Sequence, residues 1–179
     1  RAEKWIAKYH KITLTISDYD TDLYSKRIKN GVFKLLPWSW PDEIITSRTR
    51  EWIKDNKIKI LHLGSLNSMI PYSSLKFILS DLFTILPSEM LNRIELFIAG
   101  NNPDAPYSNK IKNLAKEYEN VHILGYVEDL RPLFLECDLQ IVGSQFSTGI
   151  RTRIIESFIR GLPVISTNAA AVGMYGLED

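Results

Sequence analysis

The sequence predicts an α/β protein built on a Rossmann-like parallel sheet with helices on both faces. Segments of strand character and segments of helix character alternate about five times with short links, which is typical of successive βαβ units with right-handed crossovers. The segment 57–63 becomes continuously apolar toward its end, as interior strands of a parallel sheet do. A glycine ends this segment, so a turn is predicted at the carboxyl end of a strand, where open α/β sheets bind ligands.

The first 41 residues predict a small piece of structure separate from the main sheet. Apolar residues at helical spacing predict a helix over residues 1–9, and residues 11–16 alternate as a strand. Asp18 or Asp20 is placed to cap a helix that runs to about residue 28, and a further strand is predicted over 32–36.

Residues 36–42 predict a stiff linker. Its two prolines each lack an N–H and restrict the preceding residue to extended geometry. Trp38 and Trp40 favour packing against an adjacent domain over lining a cleft at a hinge. We therefore divide the chain into residues 1–41 and a main domain of residues 42–179.

The main domain is predicted to repeat the strand and helix pattern to its end. We interpret the chain as an internal part of a longer protein that is incomplete at its C-terminus, because it opens on arginine and ends without a closing helix. The predicted strands are 57–63, 94–99, 121–124, 139–142 and 164–166, and the predicted helices are 73–86, 108–118, 129–137 and the one that follows Gly149.

The segment between the last two predicted strands has the chemistry of an anion site. Ser147, Thr148 and Gly149 can present backbone N–H groups at a helix N-terminus, where unpaired donors and the helix dipole favour a phosphate. Arg151 and Arg153 then place fixed positive charge within a turn of that position.

The helix of this segment has an apolar face and a charged face. A carboxylate one turn beyond a phosphate site can accept hydrogen bonds from the vicinal hydroxyls of a ribose, which suits a nucleoside diphosphate. The alternative, equally weighted on these residues alone, is a surface helix with an Arg153–Glu156 ion pair worth a few tenths of a kcal/mol. A helical wheel puts Ile154, Ile155, Phe158 and Leu162 on the apolar face, and Gly149, Thr152, Arg153, Glu156 and Arg160 near the opposite one.

Three segments occur in the order found in a known family. They are Gly64-Ser65-Leu66-Asn67, Gly125-Tyr126-Val127-Glu128-Asp129-Leu130-Arg131-Pro132, and the run from Ser147 to Thr167. Together they resemble the retaining GT-B glycosyltransferases of the group 1, or family four, type. The similarity covers roughly residues 59–177, and three motifs in register are more specific than any one of them.

The resemblance implies the C-terminal, donor-binding half of a GT-B enzyme that transfers a sugar from a nucleotide-diphosphate sugar with retention of configuration. Glu156 matches the second glutamate of the family's paired-glutamate motif, which binds the donor ribose, and Gly125 with Tyr126 is a candidate contact to the base. Arg153 and Glu156 are the implied catalytic residues. Arg151, Arg153 and N–H donors at the helix start are expected to stabilise the diphosphate leaving group. The implied donor-binding set is Gly64, Ser65, Asn67, Gly125, Tyr126, Ser147, Thr148, Gly149, Ile150, Arg151, Arg153 and Glu156.

The sequence departs from the family pattern at two places. In many members a basic pair follows the first glycine, whereas Ser65 and Asn67 stand here, so the diphosphate contact shifts to the arginines of the third segment. Thr148 occupies the position of the first glutamate, which usually approaches the donor sugar. This replacement resembles a subset that reads G-x-G-I-R/K, with Ser147 here in place of its first glycine.

Composition and single residues argue against several other functions. The formal net charge of +1 disfavours a dedicated nucleic-acid binder, and we attribute the basic excess of the first 60 residues to solvation ahead of membrane contact. Cys137, the only cysteine, indicates a reducing compartment and is predicted to be a core residue. No apolar window spans a membrane and no signal peptide opens the chain.

The histidines and serines give no sign of other chemistry. None of the three histidines has a partner at metal-ligand spacing, so no metal site is expected, and His62 is predicted to be a hydrogen-bonded interior or strand-end residue. No serine stands in a G-x-S-x-G elbow, which argues against a hydrolase triad.

We therefore expect the nucleotide-sugar-binding domain of a glycosyltransferase of glycan or polysaccharide biosynthesis, with no metal or other cofactor. A glycan or lipid-linked acceptor would bind a missing N-terminal domain, of which residues 1–41 are a remnant, so the chain alone is predicted to be inactive. The expected location is the cytoplasm, or the inner face of the membrane as a peripheral protein. The alternatives are a non-catalytic sugar-nucleotide-binding module and a GT-B nucleotide-sugar epimerase.

Overall fold

The computed structural model describes residues 5, 8–37, 39, 56–100, 104, 106–146 and 149–174. The chain divides into two compact units. The smaller unit combines Arg1–Asp42, Ser147–Arg151 and Ala171–Asp179, and the larger unit combines Glu43–Phe146 with Thr152–Ala170. Most of the predicted linker, with Trp38 and Trp40, lies outside the described residues, as do Ser147 and Thr148.

The larger unit contains a parallel sheet that, over the described residues, has five strands: β3 Ile58–Leu63, β4 Ile94–Ala99, β5 Val121–Gly125, β6 Leu139–Val142 and β7 Val164–Ser166. Their order across the sheet is β5-β4-β3-β6-β7. This order confirms the predicted Rossmann-like parallel sheet. The first strand of the unit, β3, lies at its centre, so the chain reverses its direction of winding between β3 and β6, which makes this pair the topological switch point.

The helices agree with the predicted pattern and differ at their ends. The helix predicted over 73–86 begins earlier, at Met69, because Pro71 is tolerated in a first turn where its missing N–H is not needed. A π-helical segment, Phe77–Leu82, lies within it. The helices of this unit are α2 Met69–Lys76, α3 Phe83–Ile85, α4 Ser88–Leu91, α5 Ser108–Ala115, α6 Arg131–Glu136, α7 Thr152–Ile159 and α8 Asn168–Ala171.

Both faces of the sheet are covered, because side chains alternate between two apolar clusters along each central strand. On β3, Ile60 packs into a cluster with residues of α2, the π-helical segment and α5, whereas Leu61 packs with Phe134 of α6 and Leu162. Cys137 is buried in the second cluster, as predicted. No helix in the described ranges is both long and apolar enough to cross a membrane.

Helix α7 buries a different face from the one that the helical wheel predicts. Ile154 and Ser157 are buried, but Phe158 is 45% exposed, so its predicted place in the core is wrong. The reason is that the Ser157 hydroxyl turns inward to donate a hydrogen bond to the side-chain carbonyl of Gln140, which is buried on β6. Leu162 is buried as predicted, although it lies beyond the helix, because Gly161 adopts φ +66 and forms a Schellman cap.

The smaller unit contains two parallel strands and a ten-residue helix among its described residues, and Trp5, Lys8 and Tyr9, within the helix predicted over residues 1–9, are helical as well. Strand β1, Thr13–Thr15, pairs with β2, Phe33–Leu35, and α1 spans Asp18–Arg27. The predicted cap at Asp18 or Asp20 is wrong: Ser17 is the N-cap, and its hydroxyl oxygen accepts a hydrogen bond from the Asp20 N–H. Ser17 has the extended backbone that a cap residue requires, whereas Asp18 and Asp20 are already helical.

Candidate functional site

Three glycines meet at the carboxyl ends of β3, β4 and β5. The Gly64 N–H donates a hydrogen bond to the Ala99 carbonyl over 3.0 Å, and the Gly100 N–H donates to the Gly125 carbonyl over 2.8 Å. A Cβ atom on Gly100 would lie 2.0 Å from the Gly64 carbonyl oxygen, so the two backbones approach each other too closely for any side chain. The glycines thereby bring three strand ends together into one surface.

This surface forms the floor of a cavity of about 330 Å³. Gly125 adopts φ +68, and the position of a Cβ atom on it has no atom within 4 Å, so this glycine borders open space. Tyr126 lies at the rim with 73% of its surface exposed. A concave, mainly apolar cavity with a few polar groups is the usual form of a small-molecule site. The lining residues besides the three glycines are Leu66, Ile98, Ser108, Lys112, Ile123, Leu124 and Tyr126.

Arg153, one residue into α7, lies on the other side of Gly64. Its Nη1 donates a hydrogen bond to the Leu63 carbonyl at the end of β3, and a Cβ atom on Gly64 would lie 2.9 Å from this nitrogen. The guanidinium is therefore fixed over Gly64 at the switch point between β3 and β6. Arg153 and Gly64 are predicted site residues that the structure brings together.

The side chain of His62, the last residue but one of β3, also lies next to Gly64. Its Nδ1 lies 3.1 Å from the Ile141 carbonyl oxygen, which can only accept a hydrogen bond, so Nδ1 carries the proton and Nε2 carries a lone pair. Nε2 lies 3.5 Å from the Cβ position of Gly64 and has no hydrogen-bond partner within the described residues. Burial first, and the charge of Arg153 second, lower the pKa of His62 to about 3, so the ring is neutral. The prediction of a hydrogen-bonded interior histidine is confirmed.

Glu156 is half-buried on α7. Burial raises the pKa of its carboxyl group, and the positive charge of Arg160 partly opposes this shift. Within the described ranges Glu156 forms no ion pair, so the alternative of a simple Arg153–Glu156 pair is not the arrangement found. Among the residues that the structure describes, the partly desolvated carboxylate therefore has no direct cationic partner, and it can accept hydrogen bonds.

Two predicted residues follow Gly64 in the turn after β3. The Asn67 N–H donates a hydrogen bond to the Ser65 hydroxyl oxygen over 3.3 Å. Leu66, between them, is buried and lines the cavity, a role that the motif did not indicate. The turn therefore contributes an apolar wall as well as the predicted polar groups.

The described residues of the predicted anion loop belong to the smaller unit. Gly149 adopts φ +63, and a Cβ atom on it would lie 3.4 Å from a carboxylate oxygen of Asp20. The Ile150 nitrogen lies 3.6 Å from the Cβ position of Gly173. Arg151 is 8% exposed, and its burial lowers the pKa of the guanidinium. The loop thus has an acidic neighbour that the sequence did not reveal, and the first of its two arginines is buried.

Comparison with known proteins identifies the family to which the sequence is similar. A family model described as glycosyl transferases group 1 matches residues 57–176. No curated protein matches the chain. The motifs that carry the resemblance all lie within the matched range.

Solved structures of similar fold are GT-B glycosyltransferases. Anabaena Alr3699/HepE in complex with UDP and glucose has a TM-score of 0.72 at 14% identity, over 95% of this chain and 48% of that one. WaaG, a glycosyltransferase involved in lipopolysaccharide biosynthesis, has a TM-score of 0.68 at 20% identity, over 90% and 45%. The pneumococcal O-GlcNAc transferase GtfA in complex with UDP and GlcNAc has a TM-score of 0.66 at 14% identity, over 90% and 31%.

The chain spans less than half the length of each of these structures. At such low sequence identity, the similarity to these structures establishes only the fold, which is a parallel α/β sheet of the GT-B type. The match of the family model is independent of it and extends over more than half of the sequence. This chain belongs to the group 1 glycosyltransferases.

Proposed function

We propose that this chain provides the donor site of a glycosyltransferase and forms the C-terminal half of a GT-B enzyme. The proposal depends on one observation. An apolar cavity and a fixed guanidinium group lie on the two sides of Gly64, at the carboxyl edge of one sheet. A nucleotide-diphosphate sugar has the matching parts, namely a planar base and an anionic diphosphate. HepE and GtfA are structures in complex with UDP, which supports this class of ligand.

In this proposal the base enters the cavity beside Gly125. The open space at that glycine lets a flat ring approach the backbone, and the exposed ring of Tyr126 is free to pack against it. The apolar walls formed by Ile98 and Ile123 cover the faces of the base, while polar groups at the edge fix its orientation.

The diphosphate is assigned to the other side of Gly64. Arg153 carries a fixed positive charge and is held at the end of β3 by its hydrogen bond to the Leu63 carbonyl. A guanidinium group suits phosphate oxygens, to which it donates charge-assisted hydrogen bonds. Negative charge grows on the diphosphate as the glycosidic bond breaks, so a fixed cation stabilises the transition state more than the bound substrate. We assign this neutralisation to arginine without a metal ion.

Glu156 is proposed to bind the ribose hydroxyls, as the family motif implies. Its desolvated carboxylate gains hydrogen bonds when a diol arrives, which offsets the cost of its burial. The loop residues Ser147, Thr148, Gly149, Ile150 and Arg151 stay predicted diphosphate contacts from the motif alone, with Ser65 and Asn67 as further contacts after β3.

The smaller unit is proposed to be a remnant of a preceding domain that carries the acceptor site. Helix α1 buries none of its side chains, and Leu14, Ile16 and Leu36 are 57%, 40% and 56% exposed. We propose that transfer proceeds with retention to a glycan or lipid-linked acceptor in polysaccharide biosynthesis, and that the chain alone is inactive. We propose a cytoplasmic enzyme, or one at the inner face of the membrane.

Calorimetry with UDP, GDP and ADP tests the donor site. We expect at least one to bind the chain below millimolar concentration, and Arg153→Ala to weaken it about 10-fold to 100-fold, the cost of losing a hydrogen bond between charged groups. Arg93→Ala, before β4 at the opposite edge of the sheet, is the matched control and should bind as wild type does. If no nucleotide binds, or if both variants bind equally, the proposal is wrong.

A further inference from the structure

Lys112 is placed at the wall of the cavity by the packing of α5. Ser108 and Lys112 are four residues apart, so they share one helix face, and both line the cavity. Ile111, the residue before Lys112, is fully buried in the core, which fixes the rotation of the helix. The start of α5 is held by a hydrogen bond from the Tyr107 N–H to the Leu66 carbonyl over 3.4 Å.

The donors of Lys112 are available to a ligand. Within the described part of the chain no hydrogen bond or ion pair engages its ammonium group. Its neighbour Lys110 differs, because Lys110 Nζ lies over the rings of Tyr72 and Tyr107 at 5.7 Å and 5.5 Å from their centroids. Among the described lining residues Lys112 alone carries a charge.

An ammonium group donates hydrogen bonds and accepts none. A base that presents a carbonyl oxygen to it gains a charge-assisted hydrogen bond, whereas a base that presents an amino group places donor against donor. Uracil and cytosine differ in this way at ring position 4, and guanine and adenine at position 6. A site built around such a donor rejects the mismatched analogue because a buried polar group loses its partner.

We propose that Lys112 selects the base of the donor nucleotide by donating a hydrogen bond to a ring carbonyl, so that uracil or guanine is preferred over cytosine or adenine. This inference rests on the proposed donor function and adds its specificity-determining residue. The contact belongs to the base and not to the phosphates, because Lys112 lines the cavity and Arg153 lies on the other side of Gly64.

The test compares UDP with CDP, and GDP with ADP, by calorimetry on the wild-type chain and on Lys112→Met. Wild type should prefer the carbonyl-bearing member of its tighter pair by about tenfold or more. Lys112→Met, which keeps the length and apolar stem of the side chain, should weaken that nucleotide about tenfold and leave its amino counterpart within twofold. Lys112→Arg should restore the preference, since it restores a donor.

Two controls locate the effect. Lys116→Met removes an exposed lysine that follows the same helix and does not line the cavity, and should leave both affinities unchanged. The free nucleosides uridine and cytidine, or guanosine and adenosine, should lose their preference in Lys112→Met as the diphosphates do. Thermal melting of each variant shows whether it is folded.

The outcomes separate the two proposals. If Lys112→Met keeps the wild-type preference, or weakens all diphosphates equally and no nucleoside, the inference about Lys112 is wrong while the donor site stands. If the wild-type chain binds none of the four nucleotides, the donor site itself is wrong.

Discussion

The two sides of Gly64 are built in different ways. The cavity side depends on backbone, because Gly100 and Gly125 let three strand ends meet and leave open space above them. The charged side depends on two side chains, Arg153 and His62, which are held by the carbonyls of Leu63 and Ile141. The shape of the cavity therefore cannot be changed without disturbing the fold. The side chains on the other side of Gly64 can be replaced by single substitutions that retain the fold.

Substitution of Gly100 should give the largest effect and tests the cavity side. A methyl group there would lie 2.0 Å from the Gly64 carbonyl oxygen, and a backbone atom in a central strand end cannot move aside. We expect Gly100→Ala to lower the free energy of unfolding by about 4 kcal/mol or more. Urea unfolding followed by far-ultraviolet circular dichroism measures the change.

Gly125→Ala is the matched control for this substitution. It places a methyl group in open space, so that the strain of φ +68 alone remains, at about 1–2 kcal/mol. Equal losses in the two variants would show that the close contact between Gly100 and Gly64 does not hold the strand ends together.

The pH dependence of stability that His62 causes should be the next largest effect. It tests the side of Gly64 on which Arg153 and His62 lie. Its pKa falls from 6.5 to about 3 on folding, so the unfolded chain takes up a proton that the folded chain excludes. Stability is therefore fully present above pH 6.5 and is lost as the pH falls toward 3. Between pH 7 and pH 5 the loss from this one group should be about 2 kcal/mol.

His62→Gln should remove this component, because glutamine does not titrate, and it can still donate to Ile141. Urea unfolding at both pH values measures the difference between wild type and variant. His122→Gln, which removes the imidazole stacked on Phe97 on the neighbouring strands, controls for the loss of a ring. A wild-type slope that survives in His62→Gln would mean that the buried ring is not the acid-sensitive group.

Local pattern was sufficient for the strands and for part of the site. An apolar run that ends in glycine predicted β3 and the turn at Gly64, and the motif singled out Arg153, which lies at the end of that strand. Local pattern failed where the decisive neighbour is distant in sequence. The wheel misplaced Phe158 because it could not include the Gln140 side chain that draws Ser157 inward.

The position of Lys112 at the cavity wall was missed for the same reason. Its spacing from Ser108 shows that the two share a helix face, but nothing local shows which end of which strand that face borders. Only the strand order, with β4 between β3 and β5, puts α5 beside Gly64 and Gly125. The acidic neighbour of Gly149 likewise comes from Asp20, far away in the sequence.

Substitution of Glu156 should give the smallest effect. It tests whether the negative charge on α7 favours nucleotide binding but lowers the stability of the fold. Burial raises the pKa of its carboxyl group, so the folded protein disfavours the charged form, and stability falls as the pH rises from the unfolded pKa through the raised one. Glu156→Gln should therefore melt higher than wild type at pH 7 and equally at pH 4. The same variant should bind its nucleotide diphosphate a few-fold more weakly, because a neutral amide oxygen is a poorer acceptor for the ribose hydroxyls than a carboxylate. Thermal melting and calorimetry on one preparation measure both changes. A rise in melting temperature without a loss of affinity would leave Glu156 as a desolvated surface carboxylate and would remove it from the donor site.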